Sequence, residues 1–134
     1  MGTGQELTRE EGLKPANLVI GEPFTLPVSG LVCRVRELNA GERALMDRVR
    51  WTQQRDEKGR FTEISLDHGR NHAAWVAWCV CDAAGKRIFR DSDVDALMAW
   101  HARDAAVVAD RAAKLNPAGE EEIEAEAKNL PEGQ

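Results

Sequence analysis

Two histidines four residues apart, His68 and His72, precede two cysteines two apart, Cys79 and Cys81. Imidazole and thiolate are the usual zinc donors, and histidines at i and i+4 share one face of a helix. On that same helix Cys79 and Cys81 would stand about 200° apart around the axis, so the four side chains cannot converge on one ion. A core cysteine pair with surface histidines is the reading the spacing favours. Asp91-Ser92-Asp93-Val94-Asp95 alternates carboxylates as a calcium loop does, but lacks its central glycine and its glutamate at position twelve. Helix capping accounts for those residues better. His101 lies on an apolar stripe, where packing is the commoner role of histidine. No Ser or Cys stands in a nucleophile motif such as G-x-S-x-G. Gly2 and Gly4 precede no strand–helix unit that would make a phosphate loop. The chain offers no catalytic, metal or cofactor constellation, and it reads as non-enzymatic.

The elements that would position these residues follow from the apolar pattern. Residues 1–22 are polar and rich in Gly and Pro, apart from Leu18-Val19-Ile20, and read as a flexible lead-in. Phe24-Thr25-Leu26 and the alternating Leu31, Cys33, Val35 predict a short β-hairpin turned at Ser29-Gly30. Asn39 with Glu42 three residues later is a capping-box pattern. Leu45, Met46, Val49 and Trp51 then extend a helix over 40–53, followed by a charged loop, Gln53 to Arg60, with Gly59 at its tip. A second helix is expected from Asp67 to Asp82. Its AAWVAWCVC core is apolar all round, and a buried strand is the competing reading of so short a run. Gly85 supplies the left-handed turn that ends it. Asp91 or Ser92 caps the next helix, along which Val94, Met98, His101, Ala105, Val108, Ala112 and Leu115 recur at alternating four- and three-residue steps. This is a packing seam, unless Asp104 caps a second segment and splits it near Arg103. Asn116-Pro117 stops it. Gly119 to Leu130 is an acidic run, either a frayed helix or a disordered tail.

The expected architecture is therefore α+β and mainly α. A short N-terminal β-hairpin leads into three to four helices and an acidic tail, with a lead-in over 1–22, one globular domain over 23–117 and the tail over 118–134. A chain of 134 residues suits one domain. Its nine-residue apolar run, Ala73 to Cys81, is far short of the ~20 residues of a membrane helix. The N-terminal residues show no signal-peptide pattern. Three cysteines do not make a disulfide framework and fit a reducing compartment. Net charge is −5, and residues 119–134 account for all of it, with six Glu against Lys128. The formally neutral remainder disfavours nucleic-acid binding, which needs basic excess for phosphate contacts. The nearest approach is 34–60, with eight basic and five acidic side chains.

Three pieces of the C-terminal half, in order, carry a resemblance: Gly85-Lys86-Arg87-Ile88-Phe89, then Asp93-Val94-Asp95-Ala96-Leu97, then Ala113-Lys114-Leu115-Asn116 followed by a Glu-rich run with Lys128-Asn129. Upstream, Val35-Arg36-Glu37-Leu38 with Gly41-Glu42-Arg43 continues the match, which spans roughly residues 30–130. Together they resemble the tail assembly chaperones of long-tailed, siphovirus-type bacteriophages. That resemblance implies a non-enzymatic protein of viral morphogenesis, working in the host cytoplasm and absent from the mature virion. Its implied partners are the tape-measure protein and the tail-tube protein, kept soluble until the tube polymerises. Self-association is left open, and neither nucleic acid nor membrane is expected. Amphipathic partner helices would meet the seam residues Val94, Met98, His101 and Val108, with Trp51 and Trp100 as anchors and Trp75 and Trp78 in the core. Two other readings stand beside this one: a structural phage protein, such as a head–tail connector or minor tail protein, retained in the virion, and a small nucleic-acid-binding regulator.

Overall fold

The computed structural model describes residues 6–117. They form a mixed α and β fold, 43% helical and 20% strand, with five helices and small sheets. After α1 (Arg9–Gly12) come β1 (Phe24–Thr25), β2 (Val32–Val35), α2 (Ala40–Arg50), β3 (Trp51–Arg55), β4 (Phe61–Leu66), α3 (His68–Cys79), β5 (Val80–Cys81), a 3₁₀ turn at Asp91–Asp93, α4 (Val94–Leu97) and α5 (Ala102–Leu115).

α3 is the centre of the molecule. Every residue from Ala73 to Cys79 is buried, and α2, α4 and α5 pack around it. A helix apolar on all sides is stable only when protein surrounds it. Trp75 takes the guanidinium groups of Arg43 and Arg50 on its ring, 5.2 and 4.7 Å from the centroid, and Trp78 takes Arg87 at 5.1 Å. The long arginine stems thus cover the indoles while their charges reach carboxylates at the surface. Asp67 caps α3, accepting from the Arg70 N–H at 3.1 Å.

The apolar run changes state before it ends. The helix stops at Cys79, short of the expected Asp82, and Val80–Cys81 pairs with β2, Val80 opposite Val35 and Cys81 opposite Arg34. β2 also pairs antiparallel with β1, Phe24 opposite Cys33 and Thr25 opposite Val32, giving a sheet of order β1-β2-β5. Helix and strand are equally apolar here, so the unsatisfied edge of β2 decides the outcome. The end of the N-terminal lead-in joins the far end of β2: the Gly21 N–H donates to Val35 at 2.7 Å and the Glu37 N–H to Val19 at 2.9 Å. Gly85 takes φ +86° in the turn after β5. That backbone conformation strains any other residue, and a Cβ there would also come within 2.8 Å of the Ile20 side chain, which would have to shift.

Two expectations are corrected. The helix over 40–53 ends at Arg50, and the charged loop is the turn of a β-hairpin whose strands, β3 and β4, occupy 51–55 and 61–66. Gly59 (φ +77°) and the Asp56 carboxylate, which accepts from the Lys58 and Arg60 N–H groups at 2.9 Å each, close that turn. Cross-strand pairing with the β-favouring sequence Phe61-Thr62-Glu63-Ile64-Ser65-Leu66 outweighs the weak helical pattern at Trp51–Gln53. The seam from Val94 to Leu115 is also two helices. The chain turns at Met98–His101, and the His101 ring nitrogen Nδ1 accepts from the Arg103 N–H at 3.2 Å, capping α5 in the role expected of Asp104. Asp104 instead lies one turn inside α5, where its carboxylate accepts from Val28 (2.8 Å) and Ser29 (3.0 Å) in the β1–β2 turn. The expected acidic tail, 118–134, lies outside the described residues.

Candidate protein-interaction surface

Asn39 and Glu42 form both hydrogen bonds of a capping box at the start of α2. The same Glu42 carboxylate receives Arg36 in a two-pronged pair, at 3.1 and 2.6 Å, on a guanidinium that is itself buried. Burial alone would raise the Glu42 carboxyl, but the hydrogen bonds from Arg36 and Asn39 outweigh it and hold it below the usual range. Asp104 behaves alike: burial opposes ionisation, and the Val28 and Ser29 N–H groups win, keeping its carboxyl low. Asn116 ties the end of α5 to this corner, accepting from Leu38 N–H at 2.7 Å and donating to Ala112 at 2.9 Å. These bonds build a rigid frame and bring no reactive group together.

Half of the basic side chains of the stretch 34–60 are paired within it. Arg36 pairs with Glu42, Arg43 and Arg50 share Asp47, and Arg60 pairs with Asp56, so four of its eight basic side chains are set against three carboxylates. The cysteines are all free and buried. Burial pushes the Cys79 thiol up to about 12 and the Cys33 thiol up to about 11, the reverse of an activated nucleophile. His68 is exposed and His72 half-buried. Among the described residues no group of three or more His, Cys, Asp or Glu could hold a metal ion, and no helix is long and apolar enough to cross a membrane.

The surface feature that stands apart is the β3–β4 arm. Its base is fixed where α2 meets α3: the Asp67 N–H donates to Arg50 O at 2.7 Å, and the Thr52 hydroxyl lies 3.4 Å from the Asp67 carboxylate. Beyond that base both faces are open. In an antiparallel ladder opposed residues share a face. Trp51–Leu66, Gln53–Ile64 and Arg55–Phe61 therefore line one side, and Thr52–Ser65 and Gln54–Glu63 the other. The first face carries the arm's large apolar side chains beside Gln53 and Arg55, with Phe61 52% and Ile64 55% exposed and Trp51 and Leu66 half-buried; the second is polar. A register shift between Gln54 and Arg55 adds Thr62 on one strand and twists the tip. An isolated two-stranded ribbon is marginal in water, and the exposed Phe61 and Ile64 on one of its sides make it a candidate contact surface.

The six residues read from sequence as partner-binding do not form one patch. Trp51 lies at the root of the arm. Trp100 is half-buried against Phe89, ring centroids 5.9 Å apart and edge-on. Met98 is 47% exposed and His101 is exposed, both at the break before α5. Val94 and Val108 are interior, 2% and 0% exposed, so the seam they mark packs inside the fold. Sequence reading missed Phe61, Ile64 and Leu66. Their signal was there: Thr62, Ile64 and Leu66 alternate with Phe61, Glu63 and Ser65, six residues with three β-branched or aromatic side chains among them, after a turn ending in Gly59. No family model, curated protein or solved structure matches this chain.

Proposed function

We propose that this chain is a non-enzymatic assembly chaperone, of the type that serves bacteriophage tails, and that it holds apolar segments of tape-measure and tail-tube proteins soluble in the host cytoplasm until they assemble. A mainly helical body opened by a short β-hairpin serves as the mount, and the β3–β4 arm is the gripping surface. The single observation that carries this reading is the row Trp51, Phe61, Ile64 and Leu66 on one face of the arm, with Phe61 and Ile64 more than half exposed. The ordered residue likeness over 30–130 supplies the partner class. A partner helix laid along the row would bury aromatic and branched side chains, and a partner strand would add to the free edge of β4; both are established modes of peptide capture. Binding of this kind needs no reacting groups, in keeping with raised thiol pKa values and carboxylates tied into the frame.

Co-expression with a tape-measure fragment tests the reading. Soluble complex is expected with the native chain and is expected to be lost with the double substitution Phe61→Ser, Ile64→Ser. Capture undiminished by that substitution, or the chain found by mass spectrometry in purified virions, overturns it.

A further inference from the structure

Among the described residues Phe61 and Ile64 of the arm's row stay more than half exposed, and the remainder of the chain contains one segment chemically suited to cover them. Residues 119–130 place Ile123, Ala127 and Leu130 at i, i+4 and i+7, the spacing of one helical stripe, and set Glu120, Glu121, Glu122, Glu124 and Glu126 around them. The arm's row includes Arg55 and no carboxylate; the arm's Glu63 is on the opposite face. Arg48, exposed at the end of α2 beside the root of the arm, forms no ion pair among the described residues. Charge and apolar spacing thus match on both sides. We infer that the acidic segment 119–130 docks on the Trp51–Phe61–Ile64–Leu66 row and covers it until a partner displaces it.

The chain is long enough and leaves from the right place. The Asn116 carbonyl accepts from Arg43 at 3.1 Å, so α5 delivers the chain beside the first half of α2. The arm grows from the other end of that helix at Arg50, about 10 Å further along its axis at 1.5 Å per residue. From Pro117 to Ile123 the chain spans up to about 20 Å when extended, enough to reach the root of the arm, with the stripe residues continuing along it. Being tethered, the segment faces the arm at an effective concentration on the order of millimolar, so even weak intrinsic affinity suffices. A second copy fits less well. The row's four side chains per copy fall well short of the ~800 Å² per partner that a stable dimer buries.

This inference rests on the arm being a docking surface, and its test needs no partner. Amide spectra and hydrogen exchange are compared for the full chain, a chain ending at Pro117, and a full-length Ile123→Ser, Leu130→Ser variant. Truncation is expected to shift the Trp51–Leu66 amides and to speed exchange at Gln53 and Ile64 by about tenfold or more, with the double variant behaving like the truncation. A synthetic 118–134 peptide is expected to restore the shifts on the truncated chain, and less so at 0.5 M than at about 0.05 M salt. Unchanged arm amides, or changes confined to the shallow cleft lined by Leu38, Arg43 and Leu115, overturn the inference. If the arm amides stay put while Phe61→Ser, Ile64→Ser still abolishes partner capture, only tail docking fails. If the tail docks but that substitution leaves capture intact, the arm's role in the proposed function fails instead.

Discussion

α3 and the β3–β4 arm meet at Asp67 and could hardly differ more. Along α3 seven consecutive residues are buried, and arginines from α2 and from the turn after β5 close over its two tryptophans. Along the arm, nothing between Thr52 and Ile64 is buried. One residue serves both, since Asp67 caps the helix and pins the ribbon. The buried cluster around α3 includes no residue of the arm, so the arm's exposed side chains are expected to contribute little to folding.

The comparison breaks most severely at Trp78, which is 2% exposed. Trp78→Ala is expected to cost about 3–5 kcal/mol, because the cavity cannot close around so large a loss. Urea unfolding followed by circular dichroism reads this directly, and a cost below about 1 kcal/mol would mean that α3 is not the centre of the fold. Asn116→Ala strikes the frame instead of the core. It leaves the Leu38 N–H without its acceptor and is expected to cost about 1–3 kcal/mol by the same measurement.

Acid sharpens the contrast without any substitution. The Glu42 and Asp104 carboxyls are held below their ordinary values of 4.5 and 3.8, so the native state favours their ionised forms. A depressed carboxyl contributes stability that is present above its ordinary value and is lost as pH falls through the lower native value. Stability is therefore expected to be flat from pH 7 to about 5 and to decline below pH 4.5, with Glu42→Gln flattening part of the decline. An unchanged unfolding midpoint between pH 6 and 3 would contradict the Arg36–Glu42 geometry. Alkaline conditions probe the core. The thiols of Cys33 and Cys79 titrate higher in the native state than unfolded, so stability falls as pH rises above 9, and native labelling by a thiol reagent at pH 8 is expected to be slow until denaturant is added.

How much of this could be read from residues alone depends on whether local chemistry or long-range pairing decides an element. The Asn39–Glu42 box and the Gly85 turn are local devices, each legible because a short oxygen-bearing side chain or a glycine stands where the backbone needs it. Val80–Cys81 could not be assigned in that way, because the partner that makes them a strand is β2, some 45 residues earlier. Trp51–Gln53 misled for a related reason: their helical spacing continues α2, yet the strand opposite supplies hydrogen bonds that a last helical turn would lack. The long seam failed at Met98–His101, where a periodic count sees apolar positions but not the histidine ring that caps a new helix. The arm's row was half visible. Trp51 was marked by type and position, whereas Phe61, Ile64 and Leu66 become a row only once β3 and β4 are in register.

The smallest effect on stability is expected where the effect on function is largest. Phe61 and Ile64 are more than half exposed, and their cross-strand neighbours on that face are Arg55 and Gln53, which carry no apolar packing to lose. Surface changes of this kind usually fall within about 0.5 kcal/mol, and the loss of two cross-strand contacts adds only a few tenths each. Phe61→Ser with Ile64→Ser should therefore leave the unfolding midpoint of the chain nearly where it was, in the same urea titration that ruins Trp78→Ala. In the chain ending at Pro117, a fall of more than about 2 kcal/mol would show that the row is packed against the folded body, and the separation of the core from the arm's exposed row would collapse. A neutral result, combined with loss of partner capture, would place binding on side chains that folding does not require.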